Sequence, residues 1–430
     1  MKSRLFLLGL FVVLLSSARA QDSLTVKQAI EEVLSTHPTV NQSMQQVQAA
    51  EARWQQSTSV QLPEITAEGF YTRIGPIAEL SIPMLGDFKL YPENNYDGHI
   101  GARYTVFDFG RTNASIDLSE SRVQSARDAV EITKTGLVYQ TIRTFYSILF
   151  LQQSIDVQKE QIEALNQHLD ITKKKANTGT ATDFDVLTTQ VRVAAAQQQK
   201  IELENAVQKQ QSVLRQLLGI PSTTALLLKG DFEAFHDSIS TDSLVEHAFE
   251  QRPEMAFVRD AILTADLQSR FASLVALPSI KLNATYGVKN GYIPNLDTWR
   301  GNWVAGVKLE IPIYEGGRAR NQEQEAQALY LAEQEHLRDV ELQIRSDIEQ
   351  VVADVKAAKE KLKIAGLQVQ QAEAAVGLAR LKYETGSMTN LDLLDSETAE
   401  SAAKLGQLHA LYKYVISRYE LQRAIGEPML

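Results

Sequence analysis

Asp392 and Asp395 stand three residues apart, a spacing that puts two carboxylates on one face of a helix. Carboxylates so placed attract cations, and several copies gathered around a narrow axis would set up a cation-selective field. Two further segments share one pattern: Thr178-Gly179-Thr180-Ala181-Thr182 with Asp185 three residues on, and Thr385-Gly386-Ser387-Met388-Thr389 with Asp392 three residues on. Glycine suits the left-handed position that stops an incoming helix, and threonine followed by an acid at the third position suits the capping box of an outgoing one. This chemistry is conformational and electrostatic. The seven histidines, His37, His99, His168, His236, His247, His336 and His409, lack metal-ligand spacing. No nucleophile motif, phosphate-binding glycine loop or histidine-glutamate zinc signature is visible. No cofactor and no enzymatic activity are expected.

The elements that carry these residues are duplicated. Gly110-Arg111 recurs as Gly317-Arg318, Thr178-Gly179 as Thr385-Gly386, and Gly219 with Pro221 as Gly426 with Pro428, each pair 207 residues apart. Upstream, Pro38 and Pro253 match, as do Leu62-Pro63 and Leu277-Pro278, now 215 apart, so eight extra residues lie between Pro63 and Gly110. A repeat at fixed offset marks duplicated architecture. The expected organisation is a first repeat at 21–221, a polar linker at 222–242 and a second repeat at 243–430, each a helix, two strands, a long helix, a turn and a returning helix.

The 430 residues carry 43 basic and 53 acidic side chains, a formal charge of −10, with no basic run that would track phosphates. No nucleic-acid partner is expected. Cysteine is absent, which excludes disulfides, thiolate chemistry and lipidation at an N-terminal cysteine. Lys2 and Arg4 precede an apolar run from Leu5 to Leu15, and Ala18-Arg19-Ala20 offers small residues where a signal peptidase reads. Residues 1–20 are expected to be a secretory signal peptide, too short in their apolar run to span a bilayer. Its removal takes the charge to about −13 through loss of Lys2, Arg4 and Arg19. No later stretch approaches the roughly 18 apolar residues of a spanning helix, so membrane residence would need strands.

Long helices are expected at 111–176 and 318–383, both free of proline, with returning helices at 183–218 and 390–425. From Leu337 through Val340, Ile344, Ile348, Val351, Val355, Ala358, Leu362, Ala365, Val369, Ala372 and Val376 to Ala379, small or apolar residues recur every 3.5 positions on average, the period of a coiled-coil seam. A helix of about 65 residues at 1.5 Å per residue is a rod of roughly 100 Å, which no compact globule can hold.

Strands are expected at 64–73, 98–108, 279–289 and 302–313. Ile280, Leu282, Ala284, Tyr286 and Val288 alternate with Lys281, Asn283, Thr285, Gly287 and Lys289, the period-two pattern of a transmembrane barrel, though an amphipathic soluble sheet shows the same alternation. Tyr104, Tyr286, Tyr292, Trp299 and Trp303 suit interfacial aromatic girdles. Four strands cannot close a barrel, and an open edge in hydrocarbon leaves backbone groups unpaired. Two copies give eight strands around a filled interior; three give twelve and a wet lumen that suits Glu68, Arg103, Lys281, Lys308 and Glu310. Three is the expectation.

The export signal, the duplicated plan, the junctions Asp108-Phe109-Gly110-Arg111 and Glu315-Gly316-Gly317-Arg318, and the paired turns together resemble the TolC-type outer-membrane efflux channel family over essentially all of 21–430. The fold this implies is mainly α with a β-barrel portion: four transmembrane strands per chain, continued by a long coiled-coil-like α-helical barrel, closed as a homotrimer. The function it implies is a passive conduit of a tripartite efflux or type I export system in the outer membrane of a Gram-negative bacterium, with a periplasmic helical extension. Its partners would be outer-membrane lipid, a periplasmic adaptor and an inner-membrane pump. The resemblance makes Asp392 and Asp395 the selective residues of the pore entrance and Asp185 and Tyr383 members of a gating network, with Met388 where the family has an arginine. Thr178, Gly179, Thr182, Thr385, Gly386 and Thr389 would form the adaptor-docking tips. Gly110, Arg111, Gly317 and Arg318 mark strand-to-helix junctions whose role is geometric. A soluble periplasmic coiled-coil adaptor or scaffold is the competing reading.

Overall fold

The computed structural model describes residues 23–84, 86–232 and 241–429. The signal-peptide expectation at 1–20 lies outside the described residues, as does 233–240 of the expected linker.

The first half begins with α1 (Val26–Thr36) and α2 (Pro38–Ser59), split at His37, whose extended backbone precedes a proline that cannot continue a helix. It continues through β1 (Glu64–Arg73), a short hairpin of β2 (Glu79–Ile82) and β3 (Gly86–Lys89), and β4 (Asn94–Phe107) into α3 (Arg111–Asn177) and α4 (Asp183–Leu218). The second half repeats the order with α5 (Thr241–Gln251), α6 (Pro253–Leu274), β5 (Ser279–Lys289), β6 (Arg300–Glu310), α7 (Arg318–Glu384) and α8 (Asn390–Ile425). Several boundaries differ from expectation, those of 98–108, 111–176 and 318–383 at their far ends by a single residue. The expected linker ends early, because α5 begins at Thr241. The strand expected at 98–108 starts at Asn94, since β1 pairs with it as far as Arg73 opposite Asn94 even though two asparagines break the alternation. The strand expected at 302–313 is Arg300–Glu310, because its partner β5 ends at Ser279 opposite Glu310 and Pro312 has no N–H to donate. The β2–β3 hairpin was not expected; it lies within the segment that is longer in the first half.

The four long strands form one antiparallel sheet in the order β1-β4-β5-β6, so the two halves join at β4–β5, and β1 and β6 are left as edges. Register sorts the faces. Ile65–Ala102, Ala67–Ile100, Tyr104–Leu282, Ala102–Ala284, Ile100–Tyr286, Tyr286–Trp303 and Leu282–Val307 pair on one face. Glu64–Arg103, Glu68–His99, Thr105–Lys281 and Lys281–Lys308 pair on the other. The apolar face is bare: Ile65 is 72% exposed, Trp303 73% and Val307 69%. On the polar face Glu310 accepts from both Lys281 (3.2 Å) and Lys308 (3.3 Å), relieving two cations that sit directly opposite one another. Tyr71 packs at a tilt against Tyr96, and Tyr96 stacks on Trp299, at the loop end of the apolar face.

Helices α3 and α7 have 67 residues each, roughly 100 Å of rod. The upper part of each packs against α2 or α6, and the lower part runs back along α4 or α8. All the seam residues named for α7, from Leu337 to Ala379, are buried or half-buried. Two larger cores hold the bundle, the first joining the two halves through α8 and the second lying within the second half. One gathers Val33, Ile142, Phe145, Ile148, Leu214 and Val415; the other gathers Met255, Ile344, Ile348, Val355, Leu421 and Ile425. In both, α8 meets partners on other helices, so the chain's last helix closes the rod bundle.

Candidate functional site at the hairpin tips

Each strand-to-helix junction places two successive residues in the left-handed region, Phe109 and Gly110 in the first half and Gly316 and Gly317 in the second. That reversal turns the chain from sheet into rod. Since glycine at the N-cap has no side chain to cap with, Asp108 does so instead, its carboxylate accepting from the Thr112 amide at 2.9 Å. Arg111 reaches the Val275 carbonyl at the end of α6 (3.4 Å), while Arg318 pairs with Glu315 at 2.9 Å.

At the opposite end the two hairpins turn identically. In the first, the Thr180 amide donates to the Lys175 carbonyl (2.9 Å) and Gly179 to Ala176 (3.0 Å); in the second, Ser387 donates to Lys382 (2.8 Å) and Gly386 to Tyr383 (3.2 Å). This is the Schellman pattern, with Gly179 and Gly386 at φ of +78° and +75°. Thr182 and Thr389 then cap α4 and α8. Each hydroxyl accepts from the amide three residues on and donates to that residue's carboxylate, Asp185 (2.7 Å) and Asp392 (2.6 Å).

The acidic residues sit in different surroundings. Asp392 is committed to its cap. Asp395 takes an ion pair from Arg192 of α4 at 2.9 Å, so a cation from the first hairpin lies against it. Asp185 and Tyr383 lie on opposite sides of one polar cluster without touching through their side chains. The Asp185 carboxylate is held by Thr182, and it is the Asp185 backbone carbonyl that meets the cluster, accepting from Asn390 at 3.3 Å. Tyr383, 7% exposed, has its hydroxyl 3.4 Å from Thr172 and its ring 5.0 Å from that of His168. The Lys175 ammonium stands 3.9 Å over the Tyr383 ring and donates to the Tyr383 carbonyl at 3.0 Å. Asn390 itself meets His168 at 2.6 Å and Thr189 at 3.4 Å. Met388, at the position where an arginine would be expected, packs against Ala379, Tyr383 and Leu393. Sequence reading therefore missed His168, Thr172, Lys175, Arg192 and Asn390. One available signal was that Asn390 differs from Asp183, its counterpart 207 residues earlier, within otherwise matching turns.

Above the tips, Asp128 on α3 faces Asp260 on α6. Asp128 is 9% exposed and accepts from Gln124 at 3.1 Å. Its carboxyl is pushed up to about 6, first by burial, then by the hydrogen bond to Asp260 and that group's charge, with Glu131 adding a smaller repulsion. Among the described residues no group of three or more histidine or acidic side chains could hold a metal ion, and no helix is long and apolar enough to cross a membrane.

The fold and sequence have known counterparts. TolC of Vibrio cholerae is 24% identical over 317 residues, 73% of this chain and 72% of that protein. The alkaline protease secretion protein AprF of Pseudomonas aeruginosa is 24% identical over 357 residues, 79% of this chain and 72% of that protein. The crystal structure of the outer membrane protein VceC from Vibrio cholerae superposes with a TM-score of 0.79 at 18% identity, covering 94% of this chain and 97% of that one. A family model described as outer membrane efflux protein matches residues 29–220 and 244–427. With both halves of the duplicated chain so matched, the chain belongs to the outer membrane efflux protein family.

Proposed function

We propose that three copies of the chain close a twelve-stranded barrel in the outer membrane and continue it as a tube of helices into the periplasm. The assembly is a passive conduit that carries solutes from an inner-membrane pump, through a periplasmic adaptor, to the exterior. One observation carries this reading: a four-stranded sheet whose apolar face is bare and whose two edges, β1 and β6, run antiparallel to each other. Because β6 of one copy can add to β1 of the next with the same antiparallel sense, closure satisfies every edge group. Each such group left unpaired in hydrocarbon costs several kcal/mol. A strand of 11 residues at about 3.3 Å per residue, tilted by roughly 40°, rises about 28 Å, close to the roughly 25 Å apolar band of outer-membrane barrels. Lipid covers the Ile65, Tyr286, Trp303 and Val307 face, and Glu64, Arg103, Lys281 and Glu310 line the lumen. A soluble adaptor or scaffold would leave that apolar face in water.

The tips carry the remaining roles. Thr178, Gly179 and Thr182, with Thr385, Gly386 and Thr389, make two rigid turns on which the adaptor docks. Asp392 and Asp395 set the cation preference of the periplasmic mouth, and Tyr383 with the Asp185 carbonyl belongs to the contacts that hold it shut. The reading is tested by the mass of the detergent-solubilised protein from light scattering, where three chains and cation-preferring conductance in planar bilayers are expected. A stable monomer in detergent would refute it.

A further inference from the structure

We infer that Asn390 is the positioning residue that clasps the second hairpin to the first, keying one tip into both helices of the other. The geometry fixes how it does so. The Asp185 carbonyl can only accept, so the Asn390 amide nitrogen must face α4, where it donates to that carbonyl (3.3 Å) and to the Thr189 hydroxyl (3.4 Å). The Asn390 oxygen must then face His168 of α3, and the 2.6 Å contact requires the imidazole to carry its proton on Nε2. One side chain thus satisfies groups on both rods of the first hairpin.

The duplication supplies an internal control. Both turns have the same Schellman closure and the same threonine-aspartate capping box, so neither device accounts for the difference at the first helical position. In the first half that position is Asp183, which is exposed; in the second it is Asn390, which is 6% exposed. Burying a polar side chain at a tip that needs none for its fold implies a contact made for its own sake. One turn further along the same face, Leu394 is fully buried among Leu165, Leu169, Val193 and Ala196 of the first hairpin, an apolar plug beside the polar key. Aspartate at 390 would present a second acceptor to the Asp185 carbonyl, so the two halves' residues are not interchangeable here.

The clasp rests on the conduit reading for its consequence, because parting the tips is what would widen the mouth. The chain has no native cysteine, so nitroxides can be placed at Thr180 and Ser387, exposed turn residues outside the clasp. In detergent-solubilised protein, Asn390→Leu, Asn390→Asp and His168→Leu should lengthen the shortest label-to-label distance. His168→Gln, which keeps an N–H donor, should not. In planar bilayers the first three should raise the ratio of open to closed states by about tenfold or more, as loss of a buried hydrogen-bonded contact predicts, with the trimer mass unchanged. The double variant Asn390→Leu with His168→Leu should add little to either single change. Wild-type distances and wild-type conductance in Asn390→Leu would overturn the clasp. If the wild-type protein conducted nothing while Asn390→Leu still lengthened the distance, the conduit reading would fall and the clasp would stand.

Discussion

Substituting Asp128 with asparagine should stabilise the helical rods at neutral and alkaline pH and leave them almost unchanged below about pH 4. Asp128 is buried between α3 and α6 against Asp260, and its carboxyl rises from an ordinary 3.8 to about 6. Because the proton is shared with Asp260 and solvent screens part of the repulsion, the penalty for ionising the pair in the fold is on the order of 1–2 kcal/mol per chain. The sign follows from proton binding. The folded state holds this proton more tightly than the unfolded state, so the carboxyl's stabilising contribution is full below about pH 4. It falls away as pH rises through about 6, where two carboxylates come to face each other without a shared proton. Asparagine keeps the shape, still accepts from Gln124, can donate to Asp260 and does not titrate. Thermal melts followed by ellipticity at 222 nm, run from pH 4 to pH 8 on detergent-solubilised protein, should show the wild-type midpoint dropping between about pH 4 and pH 6 more steeply than that of Asp128→Asn. The variant should be several degrees the more stable at pH 8. Asp260→Asn should behave alike, because either change removes the pair. Equal slopes in wild type and variants, or a variant less stable at pH 8, would refute the reasoning.

Two further outcomes can be checked. Gly287→Ala should abolish outer-membrane insertion, because a Cβ there would lie 2.2 Å from the Gly98 carbonyl oxygen and 2.6 Å from the His99 Cα, so β4 and β5 could not pair; detection of the variant as a heat-resistant trimer in the membrane fraction would show that the sheet tolerates it. Asp392→Ala should lower cation selectivity in bilayers more than Asp395→Ala, because Arg192 already offsets Asp395 at 2.9 Å, and Arg192→Ala should raise selectivity; the reverse order among the three would dismiss the ion pair as a charge regulator.

How much of this was legible in the sequence depends on the range of the interaction involved. Local chemistry read well. The Thr182 and Thr389 caps, the glycines at 179 and 386 and the α7 seam from Leu337 to Ala379 follow from spacings of a few residues, and the structure has them at those positions. Strand ends read less well, because a strand stops where its partner does: Asn94 joins β4 only through Arg73, and β6 ends with Glu310 because β5 ends at Ser279. The β2–β3 hairpin escaped because Glu79–Ile82 and Gly86–Lys89 are too short for period-two alternation to stand out. The tip contacts were the least legible. Arg192 reaches Asp395 across 203 residues and His168 reaches Asn390 across 222, distances over which no periodicity speaks. The Arg192 cation that meets Asp395 comes from the other hairpin, at a position the turn motif does not mark.

The two tips share a backbone and differ in chemistry, and this has a consequence for stoichiometry. In the proposed ring of three copies, six hairpin ends of nearly the same shape would be presented, so the outline would approach sixfold symmetry while the side chains would obey only threefold. Ends bearing exposed Asp183 would alternate in that ring with ends whose Asn390 is buried. A partner that grips every end must tolerate two inequivalent seats, and one that reads the difference can occupy only every second end. Complexes with three or six partner chains fit this ring, and complexes with two or four leave it unevenly filled.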